Sequence, residues 1–482
     1  MNARIVKLFA FIGVMFAVLV GFTSYWTVFD ANNLKNERVN KRPLFAAQQI
    51  KRGRIMTADG KIIARSVRHG SGASLQYVRR YPSGSLYGHP IGYSFAEMGN
   101  SEFEAYHNSE LIGDDNEFRS IFDELRGKKP VGNDIVTSLD ADAQQAAVDQ
   151  LAGRAGAVVA IEPSTGRIRT LVSQPSFDPN TIPDDFGELQ NAEGSPLYAA
   201  ATQGQYPPGS TFKLVTAAAA LDSGAITPDE TINSPASIDV QGHPLKNADV
   251  TDYGDINVTT ALTHSVNTYF AQLGEDIGTG TLEDYMGKFG FNAKPQIDLP
   301  DGQLSISGVF DQENDTLLTG DDPIDVGRLA IGQERLLATP IQMAEVAATI
   351  ANGGKLMKPR IWDEVRDPDG RTMKNMDPDE QSNVISGDTA DELTEAMKDV
   401  VNEGTGTAAA LSGVDVAGKT GTAEVPDQER CDGLPNQAWF VGFAPADDPQ
   451  IAVAATVECT DGEGGTVAAP IAAQIMQILL GE

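Results

Sequence analysis

The chain has 482 residues, with 36 Lys and Arg against 67 Asp and Glu and a formal charge of −31. That length allows two or three domains with a sizeable core, and the acidity excludes nucleic acid as a partner because phosphates would be repelled. Five scattered histidines and two well-separated cysteines suggest no metal site and no cofactor.

Residues 1–7 read as a short tail. Leu8 to Phe29 (LFAFIGVMFAVLVGFTSYWTVF) carries no charge and is long enough to span the ~30 Å hydrocarbon core as a helix. Tyr25 and Trp26 stand where an aromatic belt belongs. A cleaved signal peptide is the rival reading, but it would be shorter and end at an Ala-x-Ala-like site, which is absent. An uncleaved anchor is therefore expected. Arg4 and Lys7 precede the span, and Lys35, Arg38, Lys41 and Arg42 follow it. A Lys/Arg count alone would put the bulk of the chain inside, yet long domains translocate largely regardless of charge. The chemistry below puts the bulk outside.

Residues 30–133 form a region of modest size. Arg52 to Ala64 reads as strand, Asp59-Gly60 turn, strand, and the polar run 100–116 reads as an exposed loop. A second domain, 134–482, opens with a strand-like Asp134-Ile135-Val136-Thr137 and a helix over 141–151. A strand–turn–strand pattern follows over 157–172.

Tyr206-Pro207-Pro208-Gly209-Ser210-Thr211-Phe212-Lys213 then ends an irregular stretch and starts a helix through Leu221. Ser210 sits at the mouth of that helix, with free N–H groups and the positive dipole end nearby. Lys213 stands one turn on, on the same face. An unprotonated lysine within hydrogen-bond reach can take the proton that makes serine a nucleophile. Alone, the pattern is equally a helix-capping serine with a solvated lysine.

A helix over 259–274 places Ser265-Val266-Asn267 near a junction of two helical pieces, and His264 reads as an incidental neighbour. The chain is turn-rich over 278–325. Thr339-Pro340 opens an N-capped helix that Gly353-Gly354 follows. Residues 360–379 read as an exposed hairpin and 389–403 as a helix. Strands over 413–425, 438–444 and 451–459 close the chain, with a last helix over 468–480. Strands at both ends with helices between give an α+β layout, one antiparallel sheet covered by helices.

Ser210-x-x-Lys213, Ser265-x-Asn267 and Lys419-Thr420-Gly421-Thr422 follow in the order of a three-part signature. On these motifs the chain resembles a class B penicillin-binding protein. The likeness extends to Arg52-Gly53-Arg54-Ile55 (with Thr57 where the family has Asp), 79–93, Pro175 to Asn180, Gly332-Gln333 and Ala351 to Lys355. Without a glycosyltransferase signature, residues 30–133 become a pedestal lifting the catalytic domain off the membrane, as in the short actinobacterial type.

The resemblance implies a serine-type D,D-transpeptidase. Ser210 would attack a stem peptide ending in D-Ala-D-Ala, with Lys213 as base, its pKa lowered by burial and by Lys419. Ser265 would relay a proton to the leaving amine, and Asn267 would bind the substrate's peptide group. Thr420 and Thr422 would hold its carboxylate, beside the charge of Lys419. Gly421 would let the substrate backbone approach the strand. The oxyanion hole would be the N–H groups of Ser210 and Thr422. β-Lactam antibiotics would trap the serine, and a membrane glycan polymerase of the shape, elongation and division family would be a partner. Each residue has a plainer role open to it: Ser265 and Asn267 as helix caps, Thr420 and Thr422 as ordinary strand threonines. A class A β-lactamase shares the motifs but needs a glutamate-activated water, and no Glu-x-x-x-Asn element follows Asn267; Asp298 is no substitute. An antibiotic sensor and an idle scaffold also stay open.

Cys431 and Cys459 are expected to pair. In a sequential meander the strand after which Cys431 lies and the strand that Cys459 ends share a rim. Two strand spacings, about 9.6 Å, are too far for a direct bridge, but a loop cysteine can fold inward to about 5.5–6 Å. An exported domain is oxidising enough, and the bridge would fasten the loop 426–437.

Overall fold

In the computed structural model, which describes residues 3–25, 49–71, 75–113, 131–311, 316–318, 322–425, 431 and 433–481, helix α1 (Ala3–Ser24) comes first. It is long and apolar enough to cross a membrane, with mean hydropathy 2.5 over Arg4–Ser24. It starts earlier than the uncharged run because Arg4 and Lys7 extend it by an N-terminal turn. Trp26 to Phe29 and the basic residues Lys35, Arg38, Lys41 and Arg42 lie outside the described residues. So do 30–48 and 114–116.

Two sheets organise the rest. The first contains β1 (Ile55–Met56), β2 (Ile62–His69), β3 (Gln76–Arg80), β4 (Asp134–Thr137) and the hairpin β5 (Trp362–Arg366) and β6 (Thr372–Asn375). Its order is β6-β5-β4-β1-β2-β3, antiparallel except where β1 runs beside β4. The turn between β1 and β2 is closed by Thr57, whose Oγ1 accepts from the Lys61 amide at 2.9 Å and donates to Asp59. The hydroxyl thus ties down the turn from the position where the family has a carboxylate.

Two expectations change here. The 360–379 hairpin is not free-standing: β5 pairs with β4, Val365 opposite Ile135, and only β6 is fully exposed. The sheet therefore draws strands from both sides of residue 133. The polar run after 100 is not an exposed loop either. Residues 102–112 form two short helices with Phe103 and Leu111 at zero exposure. Their charges turn inward: the buried Glu104 receives Arg79 Nε at 2.6 Å and Arg52 Nε at 2.8 Å. Burial pushes the Glu104 carboxyl up, but the two guanidiniums outweigh it and hold it below its ordinary value.

The second sheet has the order β9-β10-β11-β7-β8 and is antiparallel throughout. Its strands are β7 (Gly156–Ile161), β8 (Ile168–Gln174), β9 (Ala417–Glu424), β10 (Asn436–Ala444) and β11 (Ile451–Thr460). The strand of this sheet that comes first in the chain pairs with the one that comes last, Val159 opposite Ala454. Both faces are covered, so the strands read as continuous apolar runs. On one face lie α2 (Ala141–Leu151) and the closing helix α3 (Gly464–Leu480), packing Ala147, Ile471 and Ile475 on Val158, Val453 and Ala455. The other face packs Trp439, Val441 and Ala454 on helix α4 (Pro340–Ala351), whose cap Thr339 accepts from the Gln342 amide. Helix α5 (Lys213–Asp222) runs through the centre, buried from Lys213 to Ala220. Its run of alanines lets neighbours approach closely. Beside it, α6 (Val258–Thr263) and α7 (Asn267–Lys288) flank the Ser265 junction. Helix α7 runs on past a kink at Gly278, so the turn-rich region starts later than expected. Helix α8 (Gly387–Asn402) precedes β9. Beyond β9, the sulfurs of Cys431 and Cys459 are bonded, their Cα atoms 5.0 Å apart; residues 426–430 and 432 lie outside the described residues.

The N-terminal region meets the rest of the chain through buried polar contacts. His107 Nε2 lies 3.2 Å from Asp298 Oδ2, and Asp298 also accepts from the Ile361 and Trp362 amides. Glu102 Oε1 accepts from Gln303 Nε2 at 2.7 Å, while Glu102 Oε2 and Gln303 Oε1 are both buried without a hydrogen-bond partner among the described residues. One proton on Glu102 would satisfy both. Burial raises this carboxyl from 4.5 to about 7, against the Ser101 and Gln303 hydrogen bonds that lower it. A carboxyl that keeps its proton in the fold to a higher pH than in the unfolded chain loses its stabilising contribution as pH rises from about 4.5 to 7. At about 1.4 kcal/mol per pKa unit the loss is roughly 3 kcal/mol. Glu102→Gln, which supplies the second donor permanently, should flatten the pH dependence of urea stability between pH 5 and 7.5. Parallel curves for the two proteins would contradict the pairing.

Candidate active site

The Ser-x-x-Lys segment does not enter its helix directly. Gly209–Phe212 forms a 3-10 turn, and Gly209 takes a φ of +52°, open to glycine at little cost. Three contacts clamp this turn. Tyr206 and Ala338 exchange backbone hydrogen bonds at 3.0 and 2.8 Å, the Trp439 indole donates to Pro207 O at 3.0 Å, and the Gly209 amide donates to Gly332 O at 3.1 Å. The sequence reading did not find Trp439 as a clamp. It is a core aromatic in a β-strand, and nothing local marks its partner.

Ser210 lines a cleft of about 530 Å³ together with Ser265, Asn267, Thr420 and Thr422. His264 is at its edge, stacked on Tyr253 with ring centroids 5.5 Å apart. Beneath the cleft lie Lys213 and Lys419, both with zero exposure. Asp298 lies elsewhere, in the contact with the pedestal.

Ser265 joins the two lysines. It has a φ of +57°, a strained conformation for a residue with a Cβ, and it turns both of its oxygens inward. Lys213 Nζ donates to Ser265 O at 2.7 Å and to Asn267 Oδ1 at 2.7 Å, and it lies 3.2 Å from Ser265 Oγ. Lys419 Nζ donates to the same Oγ at 3.0 Å and to Thr420 O at 3.1 Å. The hydrogen bonds of Lys213 thus go to the Ser-x-Asn element, and a bond to Ser210 is not among them. Asn267 Nδ2 donates to Lys246 O at 2.9 Å, which leaves the amide one further proton and one further lone pair for a ligand.

Among the described residues neither lysine has a carboxylate partner. Burial, then repulsion from Lys419, holds the Lys213 amine well below the ordinary lysine range. The Phe270 ring, 5.6 Å away, forms part of its apolar surroundings. Burial lowers Lys419 from 10.5 to about 7. A lysine so placed is deprotonated near neutral pH and can accept a proton.

Strand β9 is the edge of its sheet. Gly421 has a packing reason for being glycine. A Cβ there would come within 2.8 Å of Pro208 O and 2.9 Å of Thr211 Cγ2, so the missing side chain lets β9 press against the Ser210 turn itself. Thr422 Oγ1 accepts from the Gly464 amide at 3.1 Å, and Thr420 Oγ1 lies 2.6 Å from Thr405 Oγ1.

Residues 156–477 match the family model described as the penicillin binding protein transpeptidase domain, and residues 52–135 match the penicillin binding protein A dimerisation domain. The chain is 32% identical to the peptidoglycan D,D-transpeptidase PbpA of Mycolicibacterium smegmatis, across 98% of this chain and 97% of the relative. It is 31% identical to the peptidoglycan D,D-transpeptidase MrdA of Escherichia coli, across 84% and 72%. The structure of penicillin-binding protein A from M. tuberculosis, as a ceftriaxone acyl-enzyme complex, superposes with a TM-score of 0.80 at 32% identity, covering 91% of this chain and all of the other.

The packing of Gly421 predicts a contrast between two glycines. Gly421→Ala forces a methyl into the Ser210 turn and should lower stability by about 1–3 kcal/mol. Gly280→Ala, in a helix with nothing within 4 Å of the new Cβ, should raise it by about 0.5–1 kcal/mol. Urea unfolding of both variants reads the difference, and equal shifts would contradict the close approach.

Proposed function

The chain belongs to the penicillin-binding protein transpeptidase family, and we propose how its residues divide the work of a peptidoglycan D,D-transpeptidase. The observation that carries the assignment is Ser265, held between two buried lysines with no carboxylate partner among the described residues and beside Ser210 in one cleft. Ser210 Oγ attacks the carbonyl carbon between the two terminal D-alanines and gives its proton to Lys213. A neutral amine has two N–H groups, which Ser265 O and Asn267 Oδ1 receive at 2.7 Å, and one lone pair to accept that proton. The backbone N–H groups of Ser210 and Thr422 stabilise the oxyanion. As the tetrahedral intermediate collapses, the C–N bond breaks. The proton passes through Ser265 to the departing D-alanine amine, while the substrate carboxylate rests on Thr420 and Thr422. The serine ester then passes its acyl group to an amine of a second stem peptide, which loses a proton and leaves Ser210 free.

β-Lactams enter the same path at the first step. Their amine stays tethered to the acyl group, so the ester persists. The wider layout belongs to the same proposal: tail 1–7, anchor 8–29, pedestal 30–133 and catalytic domain 134–482. The anchor is uncleaved, the catalytic domain stands outside the plasma membrane, and a membrane glycan polymerase supplies the strands to be cross-linked. The apolar α1 and the location of peptidoglycan support this topology.

Benzylpenicillin should add one acyl group to the protein by intact mass. Ser210→Ala should show no adduct, and Lys213→Ala should slow acylation by about a hundredfold or more. Rapid turnover of the penicillin would contradict the reading, and wild-type labelling of Lys213→Ala would remove the base. Protease added to spheroplasts should digest the catalytic domain; protection would reverse the topology.

A further inference from the structure

Thr405 lies outside the three motifs, yet it lines the cleft beside Thr420. Its turn is built by two glycines. A Cβ on Gly404 would meet Thr263 O at 2.4 Å, and one on Gly406 would meet Val400 Cγ1 at 3.2 Å. The Thr405 amide donates to Thr263 O at 3.3 Å, two residues before Ser265. Its carbonyl lies where a Cβ on Gly465 would come within 2.4 Å, against the start of α3. Its hydroxyl is 2.6 Å from the Thr420 hydroxyl, and both residues line the cleft.

Counting protons gives this contact a direction. A hydroxyl has one proton to donate. The Thr422 oxygen already accepts from the Gly464 amide, so its proton is free for the cleft. Between Thr405 and Thr420 one proton is used and one remains. Asp249, Glu424 and Glu463 also line the cleft and repel an anion, so a carboxylate is admitted only where donors face it. If Thr420 donated to Thr405, it would present lone pairs to that anion. If Thr405 donates, Thr420 presents its proton, strengthened by the bond it accepts.

We propose that Thr405 is a positioning residue for the terminal carboxylate of the donor peptide and of penicillin: it donates to Thr420 Oγ1 and so turns the Thr420 proton into the cleft. This rests on the transpeptidase reading above. The hydroxyl pair is separate from the hydrogen bonds that join Lys213, Lys419 and Ser265, so it acts through capture of the carboxylate.

The test compares acylation by benzylpenicillin with acylation by its methyl ester, followed by intact mass, in wild type, Thr405→Val and Thr405→Ser. A neutral hydrogen bond of about 1–1.5 kcal/mol predicts that Thr405→Val slows benzylpenicillin about five- to tenfold and changes the ester by less than twofold. Thr405→Ser should react like wild type with both. Equal slowing of both compounds by the valine, or no slowing of either, would overturn the proposal. If valine does not fit the turn, Thr405→Ala carries the same comparison. A wild-type protein that reacts with neither compound would instead overturn the transpeptidase reading, and this inference with it.

Discussion

The site depends on burying two lysines side by side with no carboxylate partner for either among the described residues. An unpaired buried ammonium is costly enough that the group gives up its proton instead. The fold enforces this. The alanine-rich α5 lies in the centre of the domain and takes Lys213 with it. Strand β9 brings Lys419 in from the sheet, and Phe270 closes the apolar side. Ser265 then supplies oxygen atoms that both amines can reach, at the cost of a left-handed backbone. A carboxylate in this pocket would favour the charged form of Lys213 and remove the base.

Close backbone approaches hold the arrangement in register. Glycines at 209, 332 and 421 lie where the Ser210 turn, the loop before α4 and strand β9 meet, and each would place a Cβ within about 3 Å of backbone. The turn is fixed by its neighbours and by the Trp439 indole, together with local bonds such as Thr211 Oγ1 to Pro208 O at 2.7 Å. The nucleophile is consequently positioned by the sheet rather than by the helix it precedes.

Much of this was legible because it is local. Ser-x-x-Lys, Ser-x-Asn and Lys-Thr-Gly are short patterns, and the strands 156–161 and 451–460 are apolar runs that any reading of burial finds. The first sheet was not legible in the same way. Its pairing of Val365 with Ile135 joins residues far apart in sequence, and β1 is only two residues long. The helices over 102–112 were missed because Glu104 looks solvated in sequence, while in the fold it neutralises Arg52 and Arg79. Gly421 was legible from its motif, whereas its contact with Pro208 depends on tertiary packing. Thr405 carries no local signal at all; its importance comes from the hydroxyl it meets.

The pH dependence of Ser210 acylation by benzylpenicillin tests the central claim most directly. If burial and Lys419 hold Lys213 neutral, the second-order rate rises with pH through a lowered lysine pKa and reaches its plateau before pH 9. A rate that keeps climbing tenfold per unit toward the ordinary lysine value of about 10.4 would mean that Lys213 is a normal, protonated amine, and the account of its role as base would be wrong.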